Sequence, residues 1–241
     1  MNLTTQQIFD KYNQGERNFS HSNLLDAEII KTNLSGSNFS HSDLRQSRLG
    51  QTDFSHSNFS HADFSEAILW GATFNQSNLQ QACFRDADLS NAHLMETNLK
   101  EANFVKAILS GVNLQRANLR NTIAIYADFR ISSDFRTNLS HANLRNADLS
   151  YSFLSQALLY GVNLDGAKLC RAHLGKRNYN QSSLVTDLTR ASLQGADLSY
   201  ADLTGAILVG ANLKGADLTG TILDGAILTD AIMPHGDVFT N

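Results

Sequence analysis

Large apolar residues recur at every fifth position along almost the whole chain. Counting in fives from Phe19 to Leu184, nearly every residue is Leu or Phe, and a second run with the same period extends from Leu188 to Met233. The exceptions in the first run are Ile29, Ala124, Asp134 and Tyr179. Because this period is neither the two residues of a strand nor the 3.6 residues of a helix, it predicts a coil of short sides, each turning one large residue inward. Stacked coils of this kind bury a continuous apolar column.

Three near-copies of a longer unit indicate the number of sides in each coil. They begin at Asn18, Asn38 and Asn58 and read NFSHSNL, NFSHSDL and NFSHADF. Their spacing equals four quintets, which predicts four sides per turn and about 11 coils in all. The same register stacks phenylalanines about 4.8 Å apart in two interior columns, a spacing that suits offset ring stacking. The expected columns are Phe19, Phe39 and Phe59, and Phe64, Phe84 and Phe104.

The most regular stretch carries a family resemblance. From Ala191 to Gly220 the sequence reads ASLQGADLSYADLTGAILVGANLKGADLTG. Such tandem A(D/N)LXX quintets resemble the pentapeptide-repeat family, and the resemblance covers most of the chain. It implies an all-β fold, a right-handed quadrilateral β-helix.

A narrower resemblance is carried by segments outside the common motif. IFDKYNQGERNF near the start, SEAILWG and DGAKLCRA further on, and AIMP near the end are similar to family members that regulate heterocyst differentiation in cyanobacteria. This resemblance implies a protein partner, a transcription regulator of heterocyst differentiation, whose inhibition by a small peptide is relieved on binding. The NFSHS units of the first half depart from that pattern, so a functionally distinct paralogue is the alternative.

The array divides the chain into three parts. Residues 1–16 are expected to form a capping helix, residues 17–233 the solenoid, and residues 234–241 a tail that begins at the lone proline. Thr4 and Gln7 have the spacing of a capping box. Such a cap covers the unpaired backbone groups and the apolar end of the first coil.

The rhythm is irregular in residues 121–136. Ala124 and Asp134 hold positions that should be large and apolar, and burying an unpaired carboxylate costs several kcal/mol. We therefore expect the coil to bulge outward near 131–135, with Phe135 turned inward instead.

Two further observations concern the register of the coils. Leu119 and Leu139, on either side of the first irregular segment, are separated by four quintets, so the register is expected to recover without a net insertion. In residues 175–187 the step from Leu184 to Leu188 is four residues instead of five, which predicts a second local loop.

Outward-facing residues near these segments are candidates for binding a partner. Ile68, Trp70 and Ile108 face outward by the repeat rule, and exposed aromatic and aliphatic residues grouped on one face often bind proteins. The first irregular segment adds several arginines to this set. The candidates there are Arg116, Arg120, Arg130, Asp134, Phe135, Arg136 and Arg145. The alternative is a tolerated bulge with solvated arginines and isolated apolar surface residues.

The sequence contains no catalytic signature. It has no GxSxG, P-loop, GxGxxG, HExxH or CxxC motif, which predicts a protein without enzymatic activity or cofactors. His21, His41 and His61 stack in the expected register, but repetition of one unit explains them and nothing supplies a fourth ligand, so no metal site is expected. Cys83 and Cys170 are too far apart to pair and predict free thiols in a reducing cytoplasm. Neither a signal peptide nor a membrane-spanning run is recognisable.

The net charge of −4 weighs against mimicry of DNA. Some members of the family resemble a B-form duplex and bind type II topoisomerases, and about 11 coils give a rod of roughly 50 Å. A duplex of that length carries roughly 30 negative charges, so mimicry would be confined to the acidic C-terminal coils. The expected partner is a protein, without direct nucleic-acid or membrane contact. A structural or self-associating rod, monomeric or weakly dimeric, is the third alternative.

Overall fold

The polypeptide winds into a square tube. The structure, a computed structural model, describes residues 3–133, 135–176 and 184–240. On each side of a coil one residue pairs in parallel with its counterparts in the neighbouring coils, so that four ladders define sides A to D. Side A runs from Asn18 to Ile232, side B from Asn23 to Asp217, side C from Glu28 to Ile222 and side D from Asn33 to Ile227. The predicted quadrilateral β-helix is confirmed.

Each corner consists of two turn residues, and the second has a positive φ. This angle is 56° at His21 and 70° at Gly36, both in the left-handed region. Gly and Asn adopt this region at least cost, but Gln, Glu, Lys, Arg and Tyr also hold it in this chain. The corners are held by hydrogen bonds between coils. At one of them the His21 amide donates to the Ser40 carbonyl at 2.9 Å.

Large residues stack inside the tube in one column per side. Ring centroids are 5.1 Å apart in the column of Phe19, Phe39 and Phe59. They are 4.9 Å apart in the column that begins at Phe64, and both predicted columns are confirmed. A third column begins at Phe54, with centroids 5.2 Å apart. Phenylalanine therefore contributes to three of the four columns in the first half of the tube.

Helix α1, Thr5–Asn13, closes the N-terminal end of the tube. Thr4 is its N-cap and forms the expected capping box with Gln7. Ile8 is fully buried, and the Tyr12 hydroxyl donates to a carbonyl of the first coil at 3.0 Å. Within the described part of the chain, no helix has the length and apolar character needed to cross a membrane.

One coil holds five extra residues at the corner between sides C and D. Asn113 on side D pairs with Asn138, 25 residues later, whereas regular coils pair residues 20 apart. The expectation of no net insertion is therefore wrong. A search for a change in the five-residue period could not reveal this, because the insertion has the length of one quintet.

The inserted residues lie within 131–136, here called loop 1. The coil before them is more regular than expected, since Ala124 keeps its inward position and is buried. Phe135 is 57% exposed, so the expectation that it turns inward is wrong. Asp134 lies outside the described residues.

A second insertion leaves the same corner two coils further on. Leu158 on side D pairs with Asp187, 29 residues later, nine more than in a regular coil. We call residues 175–185 loop 2, of which residues 177–183 lie outside the described part of the chain. Leu184 does not belong to the buried core, although the count in fives reaches it.

Both loops close on a buried threonine. The Thr137 hydroxyl accepts from the Gly111 amide at 2.9 Å and donates to the carbonyl before loop 1 at 2.8 Å. The Thr186 hydroxyl accepts from the Gln156 amide at 2.9 Å and donates to the Leu174 carbonyl at 2.5 Å. Each hydroxyl joins the base of its loop to the preceding coil, so that the regular tube resumes directly after the insertion.

The C-terminal end is less well covered than the N-terminal end. Leu218, Leu223 and Leu228 are only partly buried, whereas the corresponding residues of earlier coils are fully buried. The tail folds back so that Ile232 pairs with Val238 in an antiparallel bridge. This short return covers one side of the last coil.

Candidate protein-binding surface

Side C and its corner with side D expose the apolar residues singled out in the sequence. Ile68 and Ile108 lie in the side C ladder two coils apart and are 40% and 44% exposed. Trp70 lies at the corner in the same coil as Ile68 and is 41% exposed. We call these three residues the apolar strip. Asp88 lies between the two isoleucines in the side C ladder, so a charged side chain interrupts the apolar strip.

Trp70 lies against Gly50 of the preceding coil. A Cβ atom at Gly50 would lie 2.6 Å from the indole Nε1 and 3.0 Å from Cε2. Gly50 does not have a positive φ, so the turn does not require glycine at this position. The absence of a side chain instead provides the space that the indole occupies.

Replacing Gly50 with alanine should therefore displace the indole of Trp70 without disturbing the coil. Because Trp70 is the only tryptophan in the chain, its fluorescence reports this movement directly. We expect the emission to shift and the free energy of unfolding to change by less than about 1 kcal/mol. Ser110→Ala, at the equivalent corner position, is the control and should leave the emission unchanged. Identical emission from Gly50→Ala would contradict the packing of Trp70 on Gly50.

A row of rings along the corner between sides B and C was not recognised in the sequence. The rings of Tyr126 and Tyr151 stack with centroids 5.0 Å apart. The Arg171 guanidinium follows, 5.9 Å from the Tyr151 ring and 5.5 Å from the Tyr200 ring. We call these four residues the tyrosine edge. Tyr and Arg are enriched among the residues that dominate binding energy at interfaces.

The spacing of the tyrosine edge explains why the sequence hides it. In the sequence, loop 1 lies between Tyr126 and Tyr151, and loop 2 lies between Arg171 and Tyr200. A search at a fixed 20-residue period therefore does not align these residues. Only the positions of the two insertions would have predicted the row.

Side C carries a connected row between the apolar strip and the tyrosine edge. The Arg130 Nε donates to the Asp128 carboxylate at 2.8 Å, and this hydrogen bond raises the pKa of Arg130. The same guanidinium lies 5.3 Å from the Phe153 ring, which stacks on His173 at 5.1 Å. These contacts hold the side chains in place before any partner binds, which lowers the entropy cost of association.

The structure divides the candidate arginines between opposite sides of the tube. Arg116 lies at the corner between sides D and A and pairs with Glu96 at 3.5 Å. Arg120 and Arg145 lie in adjacent coils at the corner between sides A and B. These three arginines flank side A, opposite side C, so the local excess of positive charge in the sequence is spread around the tube.

Arg136 connects the two loops. Its Nε donates to the Gln156 carbonyl at 2.9 Å, and its Nη2 donates to the Val185 carbonyl at 2.7 Å. Gln156 belongs to the corner of the coil between the loops, and Val185 belongs to loop 2. Burial lowers the pKa of the Arg136 guanidinium from its ordinary value. One side chain thus fixes loop 1 against loop 2.

The histidine column stacks as expected. Ring centroids are 5.0 Å apart between His21 and His41 and 4.6 Å apart between His41 and His61, with nearly parallel planes. Rings stacked face to face cannot direct their nitrogens at one ion. Among the residues that the structure describes, no group of His, Cys, Asp or Glu side chains is placed to hold a metal ion. Cys83 and Cys170 are free thiols.

Comparison with known proteins defines the class of this tube. The chain matches the family of Pentapeptide repeats (8 copies) over residues 18–130, 137–175 and 186–234, and the two gaps coincide with the loops. The chain belongs to the pentapeptide repeat family.

One solved structure resembles the chain over its whole length. It is HetL, a pentapeptide repeat protein involved in heterocyst differentiation regulation from the cyanobacterium Nostoc sp. strain PCC 7120. The two are 50% identical and superpose with a TM-score of 0.96, covering 98% of this chain and 100% of HetL. No curated protein sequence matches the chain at a significant level.

Other solved repeat proteins are more distant. QnrB1, a plasmid-mediated fluoroquinolone resistance protein, is 19% identical with a TM-score of 0.40, over 80% of this chain and 89% of that chain. The protein alr5209 from Nostoc PCC 7120 is 28% identical with a TM-score of 0.39, over 42% of this chain and 80% of that chain. Neither superposes closely enough to carry an argument about function.

Proposed function

We propose that this chain is a non-enzymatic cytoplasmic regulator that acts by binding another protein. Its partner is a transcription regulator of heterocyst differentiation, whose inhibition by a small peptide is relieved on binding. The observation that carries this proposal is the 50% identity to HetL, which spans 98% of this chain and 100% of HetL.

The contact surface in this proposal is side C with its two corners. The apolar strip supplies an indole and two isoleucines, and the tyrosine edge supplies three phenol rings, two of which contact one guanidinium. Most of these side chains are exposed, and Tyr151 is half-buried between Tyr126 and Arg171, so stacking already restrains several of them. Exposed, preorganised aromatic residues favour the binding of a protein surface.

Trp70→Ala and Tyr151→Ala should each weaken binding of the purified regulator by about tenfold or more, because each removes a central aromatic contact. Titration calorimetry measures the affinity, and circular dichroism verifies the fold. Ile227→Ala is the control, since Ile227 is exposed to a similar extent, 47%, but lies on side D near the C-terminal end. This control should leave the affinity unchanged.

Two results would contradict the proposal in different ways. Full affinity of a double Trp70→Ala, Tyr151→Ala variant would place the contact away from side C. Failure of the unaltered chain to bind the regulator would remove the partner assignment, and self-association alone would favour the structural rod.

Mimicry of a DNA duplex has less support. The net charge is −4, whereas a duplex of the same length carries roughly 30 negative charges, and the corner between sides B and C exposes Tyr126 and Tyr200. Inhibition of DNA supercoiling by gyrase in the presence of the purified chain would revive that alternative.

A further inference from the structure

Loop 1 forms an open cavity of about 300 Å³ against side D. Phe135 on the loop and Leu158 on the side D ladder give it apolar walls, and Arg136 and Asn91 add polar groups. The cavity opens around the corner from the side C surface. It lies where five extra residues leave the coil.

The side-chain oxygen of Asn91 is an unsatisfied acceptor at this cavity. It is shielded from solvent, and no donor among the described residues reaches it. A shielded amide oxygen without a donor costs about 1 to 3 kcal/mol. Asn91 has a φ of 58°, and glycine would satisfy this turn without the unpaired oxygen. The turn alone therefore does not account for asparagine at this position.

The absence of a side chain at Gly111 allows the Asn91 oxygen to lie close to loop 1. A Cβ atom at Gly111 would lie 2.3 Å from the Asn91 Oδ1 and 2.5 Å from the Ser132 Oγ. Gly111 also has a φ of 70°, so both space and backbone conformation require glycine. The coil and loop 1 thus approach each other closely at the floor of the cavity.

Arg136 brings a positive charge to the cavity and has no ion-pair partner within the described part of the chain. Its Nε and Nη2 donate to two carbonyls, and its Nη1 makes no hydrogen bond to a described residue. Among the described residues, no carboxylate forms an ion pair with Arg136, and Asp187 acts on it only at longer range. A partly buried guanidinium of this kind favours binding of an anion.

We propose that this cavity binds a short peptide segment of a protein partner in which an apolar side chain lies next to Asp or Glu. The apolar side chain packs between Phe135 and Leu158, and the carboxylate accepts hydrogen bonds from the Arg136 Nη1. A small displacement of loop 1 on binding uncovers the Asn91 oxygen, which then accepts a hydrogen bond from a peptide N–H. The volume is at the lower end for ligand sites, which suits one side chain with its backbone and not a large cofactor. This site goes beyond the proposed function, because its ligand is defined without reference to the transcription regulator.

Titration of the full chain with a capped dipeptide, N-acetyl-Leu-Glu-amide, tests the proposal. Amide resonances recorded by proton–nitrogen NMR should shift at Gly111, Phe135 and their neighbours. The matched peptide N-acetyl-Leu-Gln-amide has the same shape without the charge and should bind about tenfold more weakly, as expected for loss of one charge-assisted contact. Equal affinity for the two peptides, shifts scattered over the tube, or no shift at millimolar peptide would overturn the proposal.

Asn91→Gly separates ligand binding from stability. It removes the unsatisfied oxygen while keeping a residue suited to positive φ, so the unfolding midpoint should stay the same or rise while affinity for N-acetyl-Leu-Glu-amide falls severalfold. Asn146→Gly makes the same change at a corner with positive φ outside the cavity and should leave the affinity unchanged. Phe135→Ala should also weaken the peptide, because it removes one apolar wall of the cavity.

Unchanged peptide affinity in both Asn91→Gly and Phe135→Ala would refute the site. Neither variant alters side C, so regulator binding measured in parallel should be unaffected. The two proposals can therefore fail independently of each other.

Discussion

Replacing Phe59 with alanine is expected to lower the free energy of unfolding by about 3 to 5 kcal/mol. Phe59 is completely buried and stacks on Phe39 at 5.1 Å. It also contacts Phe54, Phe64 and Phe74, whose ring centroids lie 5.1 to 5.5 Å away. Truncation leaves a cavity in the middle of the column, where the paired coils above and below restrict collapse. Urea unfolding followed by circular dichroism measures the loss.

Phe59→Leu is the matched control for this prediction. Leucine is the residue that continues the same column at Leu79, so the substitution should cost less than half as much as alanine. The fluorescence of Trp70, in the same coil, shows whether that coil opens before the rest of the tube. A loss below about 1 kcal/mol for Phe59→Ala would contradict the importance of the ring stack.

Thr186→Val is expected to destabilise the protein by about 2 to 3 kcal/mol, although valine has nearly the same shape. The Thr186 hydroxyl is the acceptor for the Gln156 amide and a donor to the Leu174 carbonyl. Valine removes the acceptor for that amide and the donor to that carbonyl at the base of loop 2. Chemical denaturation measures the change, and limited proteolysis tests whether loop 2 becomes more susceptible to cleavage.

Thr52→Val is the control for this prediction. It measures the stability cost of losing a buried threonine hydroxyl in a regular coil, where no loop is closed. Thr52 is equally buried and precedes side D in the same way. Among the described residues its hydroxyl makes one hydrogen bond, a donation to the Ile29 carbonyl at 2.7 Å. This variant should cost about 1 kcal/mol and leave cleavage of loop 2 unchanged. If the two variants proved equally destabilised, Thr186 would have no special part in closing the insertion.

The two insertions interrupt an otherwise regular β-helix. Both leave the corner between sides C and D, both close on a threonine, and Arg136 joins them across the intervening coil. The family match is interrupted at both places, so these segments follow no repeat constraint. Irregular loops on a rigid scaffold are where binding sites often arise, and the cavity beside Phe135 lies at one of them.

Much of the fold could be predicted from the sequence because the repeat is local. One large inward residue in five, together with the 20-residue copies at Asn18, Asn38 and Asn58, predicted four sides and the stacks from Phe19 and Phe64. The cap on α1 followed in the same way from the spacing of residues close in sequence. Exposure of the apolar strip also followed, since the repeat fixes which side chains turn outward.

The surface was harder to predict, because it depends on which residues of different coils become neighbours. A five-residue insertion keeps the five-residue rhythm, so the sequence cannot distinguish a quintet that forms a side from one that leaves the tube as a loop. The tertiary structure decided that the chain leaves the coil between Arg130 and Thr137, and this moved Tyr151 next to Tyr126 instead of Asn146. It also separated the candidate arginines and placed Arg136 between the loops. The sequence by itself determined which residues lie inside the tube, because the inward positions recur at a fixed interval along the chain. Only the stacking of coils decided which outer residues become neighbours, because each insertion shifts the register of every residue after it.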